Sequence, residues 1–285
     1  MKVLHRILER NNRKRMSLLL FCVLFVSVFS VPVRAEEGLS ENVYDYDDIK
    51  LLGASSEILT DGDNKFSINE DGETVTLEKG SGVEENGVLT LPSYITYHGK
   101  RYTVTKLCDS FLYRTNYSEK VVLPEKLEVI GAKAFFDKTF LKEIEIPDSV
   151  TEIGDLAFRT CSRLEKVGIS SSSQLKIIGN QAFIGCPFKE IELPATLEKI
   201  GYDAFCGCDL ETVWVPDNVT SIGKEAFSSC HDLTDVHLPE NENFKEVGEG
   251  LFSYCQSLKT VNSQECHSQC CSPRLYQDRY DGGTR

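Results

Sequence analysis

A phrase of about 23 residues recurs along most of this chain, and that repetition constrains the fold more than any other feature. Residues 141–161 read LKEIEIPDSVTEIGDLAFRTC, residues 188–208 read FKEIELPATLEKIGYDAFCGC, and residues 210–230 read LETVWVPDNVTSIGKEAFSSC. The shared template is L-x-x-I-x-I-P followed by V-x-x-I-G-x-x-A-F-x-x-C. Its I-G column runs through Ile130, Ile153, Ile178, Ile200, Ile222 and Val247, at spacings of 23, 25, 22, 22 and 25. Leu107 opens the series in degenerate form, with Cys108 in place of the glycine. Phe135, Phe158, Phe183, Phe205, Phe227 and Phe252 form a second column, and Cys161, Cys186, Cys208, Cys230 and Cys255 a third.

Each column has a physical reason. The apolar residues of Glu143-Ile144-Glu145-Ile146 alternate, as in a half-buried strand. Pro147 cannot donate to a ladder, so it ends the strand. Val150 and Ile153 point back inward, Gly154 permits a tight or left-handed turn, and Ala157, Phe158 and Cys161 fit a short helical turn. One coil cannot bury this apolar set alone, but stacked coils bury it continuously, with strands ~4.8 Å apart in one parallel sheet. The expected fold is therefore a mainly β repeat solenoid, a leucine-rich-repeat stack of about seven coils of 22–25 residues spanning residues 89–262. On this arrangement Phe158, Phe183, Phe205 and Phe227 form a buried spine. The Cys column, one member per coil with side chains pointing the same way, is a set of buried thiols, and Cys206 lies off it.

The flanks divide into four further segments. Residues 1–35 carry seven Lys/Arg and one acidic residue, then an uncharged apolar run from Met16 to Val33, then Val33-Arg34-Ala35, the order of a secretory signal peptide. Residues 36–65 are acidic and weakly patterned, as a linker would be. Residues 66–88 begin FSINEDGETVTL, two alternating runs about Asp71-Gly72, which predicts a hairpin capping the first coil. A second small hairpin is expected at Tyr94–Val104, turning at His98-Gly99, because the first two repeat strands are 32 residues apart. Residues 263–285 form an irregular Cys-containing tail without a core pattern.

The phrases SVTEIGDLAF, NVTSIGKEAF and ATLEKIGYDAF resemble the BspA-like leucine-rich repeats of surface proteins, and the resemblance covers about residues 89–262. It implies a secreted or cell-surface protein that recognises a protein or glycan on host matrix or neighbouring cells. The sequence shows no L-P-x-T-G sorting motif and no C-terminal apolar span, so no stable membrane span is expected after signal cleavage.

Catalysis finds no support. G-x-S-x-G, H-E-x-x-H and phosphate-loop motifs are absent. Cys230-His231 resembles a catalytic pair, but Cys230 belongs to a core column. Asp61-Gly62-Asp63-Asn64-Lys65-Phe66 begins like a calcium loop and then places Lys65 and Phe66 where a ligand and the turn glycine belong. Cys266, His267, Cys270 and Cys271 lack a second ligand cluster at zinc spacing. No cofactor, metal site or catalytic residue is expected. Beyond residue 35 the chain has 24 basic and 43 acidic residues, a net of −19, which repels phosphate backbones and argues against nucleic acid.

A binding site is sought among the outward residues of the strands. One row, Lys120, Glu143, Lys166, Glu190, Thr212 and Asp235, alternates in charge over its first four members and reads as sheet stabilisation. The next is Val122, Glu145, Gly168, Glu192, Trp214 and His237. Here the single tryptophan lies beside a histidine, and tryptophan is enriched at binding hot spots. The candidate ligand-binding set is Trp214, His237, Glu192 and Asp235. The rival class is a rigid envelope spacer without a specific ligand, and the third is a binding module belonging to a larger surface enzyme.

Overall fold

The computed structural model describes residues 58–80, 82–112, 118–240, 244 and 246–262. The expected signal segment and the irregular tail lie outside these residues, as does most of the expected linker.

The chain opens on three antiparallel strands, β1 (Ile58–Asp61), β2 (Asn64–Ile68) and β3 (Thr74–Lys79). The cap thus has three strands where a two-stranded hairpin is expected, and β1 falls in the stretch read as linker. Asp61–Asn64, the calcium-loop mimic, is the β1–β2 turn, with Gly62 at φ 58°. β4 (Val83–Glu85) and β5 (Val88–Thr90) form a further hairpin. Its turn is Asn86-Gly87, both at positive φ (52° and 78°), the pairing that a two-residue hairpin turn favours. β6 (Tyr94–Tyr97) and β7 (Lys100–Leu107) form the expected second hairpin, turning at His98-Gly99. β7 then pairs in parallel with β3 on one side and with Val129–Ile130 of the first regular coil on the other, joining cap to solenoid.

Six complete coils follow, not about seven. The opening one is diverted into the β6–β7 hairpin. Each regular coil has three sides. The front side carries the strands read from the alternation: Lys120–Val122, Glu143–Ile146, Lys166–Ile169, Thr212–Trp214, Asp235–His237 and Thr260–Asn262. They do not form one sheet. A five-stranded group ends at Lys166–Ile169, and a three-stranded group begins at Thr212–Trp214. Residues 189–192 between them form no strand. The break coincides with coils one residue short, where only Pro187 separates Cys186 from Phe188 and only Asp209 separates Cys208 from Leu210. A second parallel ladder, two residues per coil, runs along the back through Ile130, Ile153, Ile178, Ile200, Ile222 and Val247.

The third side contains no helix. It is a run of turns in which alternate residues bond in different directions. Leu156, Phe158 and Thr160 donate their amides to Asn180, Ala182 and Ile184 of the next coil at 2.7–2.8 Å. Ala157, Arg159 and Cys161 donate back within their own turn. The left-handed positions are Leu156 (φ 60°) and Thr160 (φ 58°), and Gly154 is not among them. Gly154 is needed for close approach instead, because a Cβ there would lie 2.7 Å from the backbone nitrogen of Ala132.

The phenylalanine column forms the expected spine. Phe135, Phe158, Phe183, Phe205 and Phe227 are fully buried, and successive rings stack at 5.0, 5.1, 5.5 and 5.2 Å with planes within 4°. The column cysteines are free thiols among the described residues, and each donates to the carbonyl of the preceding coil's phenylalanine. Examples are Cys186 to Phe158 at 3.2 Å and Cys208 to Phe183 at 3.1 Å. Cys161, Cys186, Cys208 and Cys230 are buried, and Cys255 and the off-column Cys206 are half-buried.

Candidate functional site

The front strands decide what the solenoid shows to solvent. Val213 and Val236 point inward and are buried, so Trp214 and His237, one residue further along, point outward. Trp214 is 67% exposed. The parallel register sets it directly opposite His237, and their rings stack at 4.0 Å with planes 18° apart. The imidazole covers one face of the indole and holds it upright.

The other two nominated residues do not join this contact. Asp235 is half-buried and accepts a hydrogen bond from the Thr260 hydroxyl of the following strand. That bond holds its carboxyl below the ordinary 3.8, so it stays ionised at neutral pH. Glu192 is exposed on the coil before Trp214, in the segment that has lost its strand.

The surface leading up to the patch has a different character. Lys120 pairs with Glu143 at 2.6 Å, Lys142 with Glu119 at 2.8 Å, and Lys189 with Glu211 at 2.8 Å. Lys166 does not continue its own row; it bonds diagonally to Glu145 at 3.2 Å. A row beside the one read from sequence, Glu119, Lys142, Glu165, Lys189 and Glu211, also alternates, in antiphase. The two rows make a checkerboard of opposite charges. It stops at Thr212, where the outward residues become Thr212, Trp214, Thr234, Asp235, His237 and Thr260. Glu190 and Thr212 stand at this boundary, in the row whose charge alternation reads as sheet stabilisation in the sequence.

A second concavity lies elsewhere, along the back ladder. It is a trough of about 500 Å³ floored by Gly179, Gly201, Gly223 and Gly248 and flanked by Ile177 and Tyr202. The glycine column is its signal in the sequence, since a row without side chains leaves a furrow. Being open and lined mainly by glycine and aliphatic residues, with Asp155, Lys199 and Glu246 along it, it makes a weaker candidate than the aromatic pair. Among the described residues no three His, Cys, Asp or Glu side chains gather as a metal site, and no helix is long and apolar enough to cross a membrane.

Comparison with known proteins agrees with this architecture. The family described as the BspA type leucine rich repeat region matches residues 105–175 and 168–272, in six copies. A leucine-rich repeat protein from Bacteroides ovatus is 34% identical with a TM-score of 0.51, over 71% of this chain and 46% of that one. This chain thus spans about half the length of that protein. The leucine-rich repeat protein of T. pallidum is 26% identical with a TM-score of 0.61, over 71% of this chain and 91% of that one. No curated protein matches the chain.

Proposed function

The chain belongs to the BspA-type leucine-rich-repeat family, and on that premise we propose that it is an exported, non-catalytic recognition scaffold. It binds a protein or glycan on host matrix or a neighbouring cell through the outward face of its C-terminal front strands. The observation that carries this is the stacked Trp214–His237 pair, the place where the charge checkerboard gives way to aromatic and hydroxyl side chains. An exposed tryptophan braced by a second ring presents a large, rigid contact area with little ordering entropy left to lose, which favours affinity. The basic and apolar run of residues 1–35 supports export to the cell surface.

The test is capture of matrix proteins and cell-surface glycans by the wild-type chain and by a Trp214→Ala, His237→Ala double variant. Both side chains lie outside the core, so the melting temperature should stay nearly unchanged while capture falls. Full-strength capture by the double variant overturns the patch. The rival reading, a rigid spacer, draws support from the regular ion-pair checkerboard, and it predicts no specific capture by either protein. Fractionation of the source cells with sequencing of the mature N-terminus tests export.

A further inference from the structure

The checkerboard breaks at one place, and the break concerns charge. Following the row Lys120, Glu143, Lys166, Glu190, the next residue in alternation would be a lysine, and the chain has Thr212 there. Glu190 and Glu192 are both exposed, and neither makes an ion pair or hydrogen bond among the described residues. On the same surface Glu119, Glu143, Glu145 and Glu211 are each held by a lysine. The amide of Glu211 donates to the carbonyl of Lys189 at 3.0 Å, so these two coils are in register at the start of the front side. The repeat template aligns Glu190 with Thr212 and Glu192 with Trp214, although beyond that bond no backbone hydrogen bond joins the two coils along the front among the described residues. The indole face turned away from His237 therefore looks toward a coil bearing two uncompensated carboxylates.

We propose that this patch receives a guanidinium: an arginine side chain of a partner protein, laid over the outer face of Trp214 and held at its edge by Glu190 and Glu192. The proposal rests on the reading of Trp214 and His237 as a recognition patch and names its ligand chemistry. Indole is the strongest of the aromatic faces for a cation. A guanidinium is planar, so it stacks on the ring while its edge donates to carboxylates. An ammonium is drawn to the ring face too, but it has no plane to stack and no fork of donors to meet the carboxylates at the same time. A neutral sugar would stack on the indole but leave both carboxylates uncompensated. The chain's net charge of −13 attracts a basic partner before contact.

Trp214 is the single tryptophan, so its fluorescence reports on this site alone. The whole chain is titrated with a capped Gly-Arg-Gly peptide, with its lysine and citrulline analogues, and with methyl glucoside. The arginine peptide should change the emission saturably. The lysine peptide should bind several-fold more weakly, and the citrulline peptide, which keeps the shape without the charge, about tenfold more weakly. A Glu190→Gln, Glu192→Gln variant should lose about tenfold in affinity for the arginine peptide with its melting temperature unchanged. No saturable response to the arginine peptide overturns the proposal. An equal response to citrulline or the sugar also overturns it while leaving the recognition patch standing. The patch itself fails only if the Trp214→Ala, His237→Ala chain still captures its macromolecular partner.

Discussion

Phe205 sits between Phe183 and Phe227, and each ring's flat face is covered by the next. Truncating it opens a cavity that neither neighbour can fill, because both are fixed by their own coils. Phe205→Ala should cost ~3–5 kcal/mol and lower the melting temperature sharply. Gly201 fails differently. An added Cβ would lie 2.5 Å from the backbone nitrogen of Asn180, so Gly201→Ala should destabilise by about 1–3 kcal/mol through forced separation of two coils, and thermal melts should detect it. The columns were legible in the sequence because stacking demands the same residue type at the same station of every coil. What the glycine does there was not. A turn glycine reads by default as left-handed, and only the closeness of the neighbouring coil reveals a steric demand instead. One left-handed station falls on Leu156, Gln181 and Asp203, of which only the aspartate is a type that favours it. The other falls on Thr160 but on Gly185 and Gly207 in the next two coils, where the glycine is a legible signal.

At the level of elements, the front strands announce themselves by alternation, whereas the back ladder, two residues per coil, is too short for a period of two to show. The break at residues 189–192 was likewise hidden. A one-residue shortening at Pro187 leaves Lys189-Glu190-Ile191-Glu192 with the same apolar alternation as its neighbours. The Asn86-Gly87 turn is legible in the sequence, being a strong short-range hairpin signal. The front ladder also permits a test of its charge pattern. Lys120→Glu would set like charges opposite one another at Glu143 and should lower the denaturant midpoint slightly. Both side chains of that pair are more than a third exposed, and solvent screening keeps the effect small. The exchanged pair Lys120→Glu, Glu143→Lys should recover most of the loss, and high salt should narrow the difference in denaturant midpoints.

For the whole molecule, the cysteine column links stability to alkaline pH. Burial pushes the thiols of Cys186 and Cys208 well above the ordinary 9.0. A folded value raised above the unfolded one gives stability that is complete below pH 9 and declines as pH climbs beyond it, since only unfolded thiols then ionise. Each such thiol contributes a slope of about 1.4 kcal/mol per pH unit, so denaturant midpoints should fall between pH 9 and 11. Cys186→Ala or Cys208→Ala should flatten the fall. The run of turns carries a further consequence for the molecule as a body. Every one of its inter-coil bonds points the same way, from Ser110 to Ala132, through Phe158 to Ala182 and Phe205 to Ala226, as far as Phe227 to Leu251. Peptide dipoles aligned in this manner add, as they do along a helix, so this side of the solenoid is electrically polar along its length, while the back-ladder bonds, such as Gly154 to Ile130 and Gly201 to Ile178, point the other way. On the run of turns the carbonyls face the cap, and the amides face forward past Phe252. Whatever abuts that forward end must bring acceptors, and it does so against a field that favours negative charge.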